Sequence, residues 1–239
     1  MLIIFPMAGL SSRFLKAGYK MPKYMLDLKG KSLFKRVLLG FESLFERADF
    51  LFIYRNINDT KGFIKKECES LNLKRFEMIE LEKETLGQAH TCFLGLQNVS
   101  DDENLLIFNI DTIHLNLNLP DLNCDGFLEV FEASGEQYSF VKTLPNSNKV
   151  IRTAEKERIS TLCSTGLYYF KKAKDFKEVF LQMQKANDTS KNEFYIAPMY
   201  NYLIKQNKDI RAFKIDFKEL VFCGLPSEYE ALLRDKNFK

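Results

Sequence analysis

The feature that most constrains this chain is the alternation of strand-length apolar runs with segments of helical periodicity. The apolar runs occupy residues 2–6, 50–54, 76–81 and 105–110. The helical segments, in which apolar residues recur every three or four positions, occupy residues 32–47, 59–72 and 88–98. Alternating strands and helices form βαβ units around a parallel sheet, so the first half of the chain predicts an α/β fold.

The pattern changes after about residue 125. FLEVFEA, YSFVKTL and KVIRTA are separated by Gly, Pro, Asn and Ser turn signals, which indicates a mixed or antiparallel extension of the sheet. The pattern then predicts a strand at 166–170, helices near 173–186 and 194–206, a strand near 210–216 and a terminal helix from Ser227. No linker interrupts the 239 residues, so we expect one domain.

Composition and charge exclude several classes of protein. The net charge of +3 is spread over 35 basic and 32 acidic residues, so no concentrated field for nucleic acid is expected. No run approaches the roughly 18 apolar residues of a membrane span, and no basic leader precedes the first strand. We therefore expect a cytoplasmic protein that binds neither nucleic acid nor membrane. Five scattered cysteines without a CxxC pair predict reduced, structural thiols.

The loop after the first predicted strand, PMAGLSSRFLKAGYKMPK, is the strongest candidate for a ligand site. In an open parallel sheet, ligands bind beyond the carboxyl ends of the strands. Ala8 and Gly9 lack bulk, so backbone N–H groups can approach a phosphate closely. Arg13 and Lys23 add two positive charges, which suit a triphosphate. The loop matches neither GxGxxG nor GxxxxGKS, which disfavours a dinucleotide enzyme and a P-loop ATPase.

Asp111 ends the buried run LLIFNID and is the predicted metal ligand. A carboxylate at the carboxyl end of a strand faces the ligand crevice, and a hard divalent cation such as Mg²⁺ needs an oxygen ligand. The alternative is an Asp that merely caps a turn, as in many α/β proteins. The sequence NID differs from DxD, which weakens the case for a glycosyltransferase.

The AGxxSRF loop with the following PK step resembles the sugar-phosphate nucleotidylyltransferases. Within that class it is most similar to the capsule-related CTP:phosphoglutamine cytidylyltransferases. The resemblance implies one three-layer α/β/α domain of the glycosyltransferase-A type, with a mixed, mainly parallel central sheet. It also implies a nucleotide-binding half at residues 1–125 and an acceptor-binding half at residues 126–239.

The same resemblance implies roles for particular residues. Arg13 and Lys23 would act on the triphosphate as catalytic residues. The residues that would surround the nucleotide are Ala8, Gly9, Leu10, Ser11 and Ser12, with Gly87 and Gln88 of TLGQAHT along the base. The residues that would bind the acceptor are Glu155 and Lys156 of an EK step, Gly166 of TGLYYF and Glu193 of NEFYIAP. Without the resemblance, these are turn glycines, exposed charges and an acid near a helix start.

The segment VFCGLPSEYEAL resembles the terminal GTPxxY segment of the class but departs from it. Many relatives hold a second metal-binding acid two residues before the Gly, where this chain has Phe222. Asp216, near the end of the preceding predicted strand, is the substitute that we expect, although a turn role is an equal alternative.

The predicted reaction transfers a nucleoside monophosphate from a triphosphate with Mg²⁺ to a small phosphorylated acceptor, and pyrophosphate leaves. The resemblance favours CMP from CTP and phosphoglutamine as acceptor, in capsule phosphoramidate biosynthesis. A sugar 1-phosphate with UTP, dTTP or CTP is the nearest alternative. A glycosyltransferase of similar fold and a non-catalytic nucleotide-binding subunit are the others. A homodimer is the prior expectation.

Overall fold

The computed structural model describes residues 1–238. The strands are β1 (Leu2–Met7), β2 (Asp27–Leu28), β3 (Lys31–Ser32), β4 (Asp49–Tyr54), β5 (Phe76–Glu80), β6 (Leu105–Ile107), β7 (Thr112–His114), β8 (Gly126–Glu132), β9 (Ser139–Thr143), β10 (Val150–Glu155), β11 (Leu162–Phe170), β12 (Ile210–Lys214) and β13 (Leu220–Phe222). The α-helices are α1 (Ser12–Lys16), α2 (Leu33–Leu39), α3 (Thr60–Ser70), α4 (Gln88–Gly95), α5 (Ala173–Ala186), α6 (Met199–Lys205) and α7 (Pro226–Arg234). Short 3₁₀ turns occupy Lys23–Met25, Glu42–Leu44 and Phe217–Glu219.

The chain divides into two compact units, and each is discontinuous in sequence. The first unit comprises Met1–Ile4, Thr85–Phe108 and Asn118–Phe217. The second unit comprises Phe5–Glu84, Asn109–Leu117 and the chain from Lys218 onward. Strand β1 contributes residues to both. The division into nucleotide-binding and acceptor-binding halves near residue 125 stays a prediction, because it concerns ligands.

The first unit is built on a mixed sheet in the order β10-β9-β11-β6-β1. Strand β6 runs parallel to β1, whereas β11 is antiparallel to β6, β8 and β9. Strand β12 adds to β8 in parallel. Eight of the nine residues of β11 are buried, as expected for a strand covered on both faces.

In the second unit the strand order is β1-β4-β5, and β4 runs parallel to β5. Two short antiparallel ribbons, β2–β3 and β7–β13, complete its strands. The ring of Phe5 contacts Phe41 edge-on at 5.3 Å and stacks on Phe52 at 5.6 Å between centroids. Aromatic pairs of this geometry stabilise a core beyond the area they bury. Phenylalanine rings therefore supply aromatic packing in this core, in a chain that has 22 Phe and no Trp.

The predicted fold class is confirmed, since a mixed central sheet carries flanking helices as expected. Several boundaries were wrong. The helix predicted at 32–47 ends at Leu39, and a separate 3₁₀ turn at Glu42–Leu44 follows it. Between them lies Gly40, where a Cβ would lie 2.5 Å from the carbonyl oxygen of His114. The helix predicted at 194–206 begins only at Met199, after Pro198. The strand predicted at 105–110 ends at Ile107, so Asp111 lies in the connection to β7.

All five cysteines are buried and free, as expected for structural thiols. None of the helices within residues 1–238 combines the length and the apolar character that a bilayer span requires.

Tyr200 of α6 gives a direct test of packing in the first unit. Its side chain is fully buried, and its hydroxyl lies 3.0 Å from the carbonyl oxygen of Phe127 and 2.8 Å from that of Tyr169. Tyr200→Phe removes the donor from two buried acceptors, so we expect the free energy of unfolding to fall by about 1–2 kcal/mol. Tyr202→Phe, which removes only a surface hydrogen bond to Asp188, should change it by less than about 0.5 kcal/mol. Equilibrium urea unfolding measures both, and equal losses would contradict the assignment.

Candidate active site

An ion pair between Lys23 and Asp111 forms the centre of the candidate site in the second unit. The Lys23 Nζ atom lies 2.6 Å from Asp111 Oδ2, and the two side chains are 20% and 30% exposed. The carboxylate therefore faces partly toward solvent and not into the apolar interior. The small-residue loop and the predicted metal ligand, 88 residues apart in sequence, are brought together.

Ser11 connects this ion pair to the loop after β1. Its hydroxyl oxygen accepts a hydrogen bond from the backbone N–H of Lys23 at 3.1 Å. Its carbonyl oxygen accepts from the N–H groups of Phe14 and Leu15, which fixes the start of α1. Ser11 has φ 53°, a left-handed conformation that costs a residue with a side chain about 1–2 kcal/mol. The two sets of contacts offset this strain, because the Ser11 carbonyl holds the start of α1 and the Ser11 hydroxyl holds the segment that carries Lys23.

The segment Cys223–Gly224 holds Asp111 from the other side. The backbone N–H and the thiol of Cys223 both donate to the carbonyl oxygen of Asp111, at 3.0 Å and 3.1 Å. A Cβ at Gly224 would lie 2.9 Å from Asp111 Oδ2, so no larger residue fits without moving the carboxylate. The sequence predicted neither the Cys223 nor the Gly224 contact with Asp111, although Gly224 belongs to the segment that resembles GTPxxY.

The remaining loop residues differ in exposure. Ala8 is buried, whereas Gly9, Leu10, Ser12 and Arg13 are exposed. A Cβ at Gly9 would meet nothing within 4 Å, so the surface beside it is open. Exposed backbone and side-chain donors in this loop are available to a ligand.

Glu228, which sequence reasoning also missed, lies in the first turn of α7. Its Oε2 accepts a hydrogen bond from the N–H of Leu225 at 3.0 Å, as in a helix capping arrangement. Burial raises the pKa of the Glu228 carboxyl above its ordinary value, and the charge of Asp111 adds to the effect, while the backbone hydrogen bonds and Lys23 oppose it. Pro226 at the first position of α7 and Glu228 at the third are a typical helix-start pattern, from which the sequence could have predicted the role of Glu228.

In the first unit, three of the predicted acceptor-binding residues lie in one network. Lys156 Nζ lies 3.4 Å from Glu155 Oε1 and donates to the hydroxyl of Tyr195 at 2.6 Å. Tyr195 in turn donates to Glu193 Oε2 at 2.6 Å. Burial raises the pKa of the Glu155 carboxyl, and the hydrogen bond from Ser139 opposes this. Tyr195, which joins the set, is a residue that the sequence did not single out.

Gly87 and Gln88 lie at the start of α4, and Gly87 packs against the segment that carries Glu193. Gly87 has φ +105°, and a Cβ there would lie 2.7 Å from both the nitrogen and the carbonyl oxygen of Phe194. Phe194 donates to the carbonyl oxygen of Leu86 and accepts from the N–H of Ala89, at 2.7 Å and 3.0 Å. The predicted base-reading turn and the predicted acceptor segment are therefore joined through backbone hydrogen bonds.

Gly166 lies in an irregular part of β11, between Ser164 and Tyr168, where the pairing with β8 shifts register. It is buried and has φ +92°. The neighbouring Thr165 donates from its hydroxyl to Oε2 of Glu129 at 2.8 Å, and Glu129 is fully buried. The buried carboxylate of Glu129 thus holds the irregular part of β11 beside Gly166. Nothing in the sequence predicted this contact.

Asp216 lies two residues beyond β12 in the first unit and is exposed. Within residues 1–238 no group of three or more His, Cys, Asp or Glu side chains is arranged to hold a metal ion. Asp111 and Asp216 remain predicted ligands.

Gly87→Ala tests the close approach of the turn to Phe194. The substitution places a methyl group against two backbone atoms at a left-handed φ, so we expect the free energy of unfolding to fall by about 2 kcal/mol or more. Gly9→Ala, in open space, is the matched control and should change it by less than about 0.5 kcal/mol. Denaturant unfolding of the two variants measures the difference. Equal free energies of unfolding for Gly87→Ala and Gly9→Ala would contradict the prediction, because the turn at Gly87 would then accept the methyl group without cost.

Comparison with known proteins places these features in a family. No family model and no curated protein matches the chain. Among solved structures, the UDP-glucose pyrophosphorylase complexed with UDP-glucose is 16% identical with a TM-score of 0.75, over 97% of this chain and 96% of that one. The inositol-1-phosphate CTP transferase from T. maritima is 14% identical with a TM-score of 0.74, over 98% and 96%. Both share the fold.

A much nearer relative is the nucleoside-diphosphate-sugar pyrophosphorylase from Vibrio cholerae RC9. It is 44% identical with a TM-score of 0.93, over 98% of this chain and all of that one. The broad class inferred from the AGxxSRF loop is confirmed. The chain belongs to the nucleoside-diphosphate-sugar pyrophosphorylase family of nucleotidyltransferases.

Proposed function

We propose that the protein transfers a nucleoside monophosphate from a triphosphate to a small phosphorylated acceptor and releases pyrophosphate. The observation that carries the proposal is the partly exposed Lys23–Asp111 pair held by Ser11, Cys223 and Gly224. The lysine supplies a positive charge for the phosphates, and the carboxylate supplies an oxygen ligand for the metal that accompanies them.

Asp111 fits a divalent cation. Its Oδ2 already accepts a cationic group at 2.6 Å, and its backbone is fixed from Cys223. Mg²⁺ binds through one or two carboxylates and completes its shell with substrate phosphates and water, so a site without three protein ligands suits it. When bound, Mg²⁺ would polarise the α-phosphate and offset the charge of the leaving pyrophosphate. Asp216 is the proposed second ligand.

In the mechanism, Lys23 exchanges its carboxylate partner for a phosphate oxygen of the triphosphate. Arg13, exposed in α1, provides a second cation toward the phosphates. The backbone of Ala8, Gly9 and Leu10 and the hydroxyls of Ser11 and Ser12 bind the nucleotide. These groups orient the α-phosphorus and stabilise charge on the departing β-phosphate oxygen.

The acceptor phosphate attacks through one of its own oxygens. A new P–O bond forms to the α-phosphorus while the bond to the β-phosphate oxygen breaks, and no covalent protein intermediate is needed. Lys156 binds the acceptor phosphate, and Glu155 and Glu193 accept hydrogen bonds from the rest of the acceptor. Gly166 lets the acceptor lie against the backbone. Gly87 and Gln88 contact the base, where the Gln amide can both donate and accept.

For the substrates we propose CTP and phosphoglutamine, with a role in capsule phosphoramidate synthesis, on the resemblance to that group of cytidylyltransferases, which covers nearly the whole chain and is densest in residues 3–34. A sugar 1-phosphate with UTP, dTTP or CTP is the second candidate, favoured by the 44% identity to a nucleoside-diphosphate-sugar pyrophosphorylase. A cytoplasmic location and a homodimer remain predictions.

The substrate proposal predicts a pattern of pyrophosphate release. Purified protein with Mg²⁺ is incubated with CTP, UTP, dTTP or ATP and with phosphoglutamine, glucose 1-phosphate or inositol 1-phosphate. We expect the fastest release from CTP with phosphoglutamine, and none after EDTA treatment. Release only with a sugar phosphate would establish the second candidate. No release from any pair would reject nucleotidyl transfer to these acceptors.

The ion pair predicts the behaviour of Lys23→Ala and Asp111→Asn. Each should lower turnover by about 10²–10³, because one charge that stabilises the transition state is lost. Asp111→Asn should also weaken Mn²⁺ binding in the presence of triphosphate, measured by electron paramagnetic resonance. Lys31→Ala, an exposed lysine of β3, is the control for loss of one charge. Turnover near that of the wild type in either site variant, with an unchanged melting temperature, would refute the assignment.

A further inference from the structure

Tyr195 occupies a central place among the predicted acceptor-binding residues. Its hydroxyl accepts a hydrogen bond from Lys156 Nζ and donates one to Glu193 Oε2, both at 2.6 Å. The Lys156 ammonium also lies 4.3 Å from the centroid of the Tyr195 ring. A single side chain therefore contacts the lysine by two different interactions and links it to a carboxylate.

The backbone at Lys156 is in an unfavourable conformation. Lys156 has φ 55°, in the left-handed region that residues with a Cβ avoid, and it follows directly after the end of β10. Its N–H donates to the carbonyl oxygen of Tyr138 at 3.0 Å. Gly or Asn would adopt this conformation more readily, so backbone preference does not explain the lysine. Lys29 and Lys191 share this conformation, but among these three lysines Lys156 alone belongs to the predicted acceptor-binding set. Backbone strain of this kind clusters at functional sites.

The hydrogen-bond capacity of the Lys156 ammonium also indicates that this side chain can bind a ligand. An ammonium group carries three N–H donors. Within the described chain, residues 1–238, one donor serves Tyr195 and another faces Glu155 Oε1 at 3.4 Å. The Lys156 side chain is 22% exposed, so its third donor can serve an oxygen of a bound molecule.

We propose that Tyr195 is a positioning residue that fixes the Lys156 ammonium for an incoming acceptor phosphate. The proposal rests on the proposed function, because it assigns Lys156 to that phosphate. Tyr195 itself acts through Lys156. Loss of its hydroxyl should therefore weaken binding of the acceptor and leave binding of the triphosphate unchanged.

Tyr195→Phe is the first variant of the test. With the best pair found in the pyrophosphate assay, we expect KM for the acceptor to rise about tenfold, as for the loss of one charge-assisted hydrogen bond. KM for the triphosphate should stay within about twofold of the wild-type value. Tyr202→Phe is the matched control, because Tyr202 also donates to a carboxylate, that of Asp188 at 2.9 Å, and has the Lys205 ammonium 5.6 Å from its ring. The control should change neither KM.

Lys156→Met separates action through the lysine from a direct contact. In a double-mutant cycle, Tyr195→Phe should have no further effect on the acceptor KM once Lys156 is Met. Additive effects would overturn the proposal, as would a Tyr195→Phe enzyme whose acceptor KM is that of the wild type.

Lys156→Gly separates a functional lysine from a structural one. Because Gly relieves the left-handed strain, the melting temperature should hold or rise by a few degrees while the acceptor KM rises at least about tenfold. A large fall in melting temperature would show that Lys156 is needed for the fold.

A readout without turnover distinguishes failure of this proposal from failure of the proposed function. Titration with inorganic phosphate, followed by ³¹P NMR line broadening, should show weaker binding to Tyr195→Phe and Lys156→Met than to the wild type and Tyr202→Phe. Identical binding to all four proteins would overturn the positioning role even if the wild type transfers nucleotides. Absence of pyrophosphate from the wild type, with the phosphate difference intact, would reject only the proposed reaction.

Discussion

The interaction on which the site depends is the fixation of Asp111 by the backbone and thiol of Cys223. The carbonyl oxygen of Asp111 accepts both donors, and the absence of a side chain at Gly224 leaves room for the carboxylate. These contacts join residues 112 positions apart. With its backbone held, the carboxylate of Asp111 meets Lys23 at a fixed place, and Ser11 holds the lysine segment to the loop after β1. Preorganised charge of this kind is the main source of rate enhancement in reactions that build negative charge.

The strength of the Lys23–Asp111 pair matters for its use. A solvent-exposed ion pair contributes only about 0–1 kcal/mol to stability, because water screens the charges and two side chains lose freedom. The Lys23–Asp111 pair lies between that case and a fully buried pair. A triphosphate with several negative charges can therefore displace the carboxylate from Lys23 at small cost. A fully buried pair would resist the exchange, since separating its partners leaves an uncompensated charge. Partial exposure thus suits a lysine that must change partners during each turnover.

Local patterns in the sequence predicted the elements but not their long-range contacts. Helix α5 was predicted with its observed bounds, because Phe and Val recur at helical spacing without a breaker. The expectation that Asp111 lies beside the first loop followed from the general position of ligands at the carboxyl ends of strands. The prediction for helix α2 is too long, because the apolar spacing continues through the separate 3₁₀ turn at Glu42–Leu44 and does not distinguish it from an α-helix. The roles of Tyr195 and Glu129 also depend on long-range contacts. Tyr195 contacts Lys156 and Glu129 contacts Thr165, and each pair is more than 30 residues apart in sequence, so no local pattern predicts them.

Phe222 is relevant to the order in which a metal ion and the nucleotide bind. The resemblance implies an acid at this position in many relatives, and a second carboxylate would let the protein bind a divalent cation before the nucleotide. In this structure the Lys23 ammonium lies 2.6 Å from Oδ2 of Asp111. On the proposed function, free Mg²⁺ must displace the tethered Lys23 from Asp111 to bind there, whether or not Asp216 supplies a second ligand. Mg²⁺ chelated by a triphosphate does not compete in the same way, because the phosphates that bring it also offer Lys23 a new partner. Metal and nucleotide binding are thus expected to be one event in this protein.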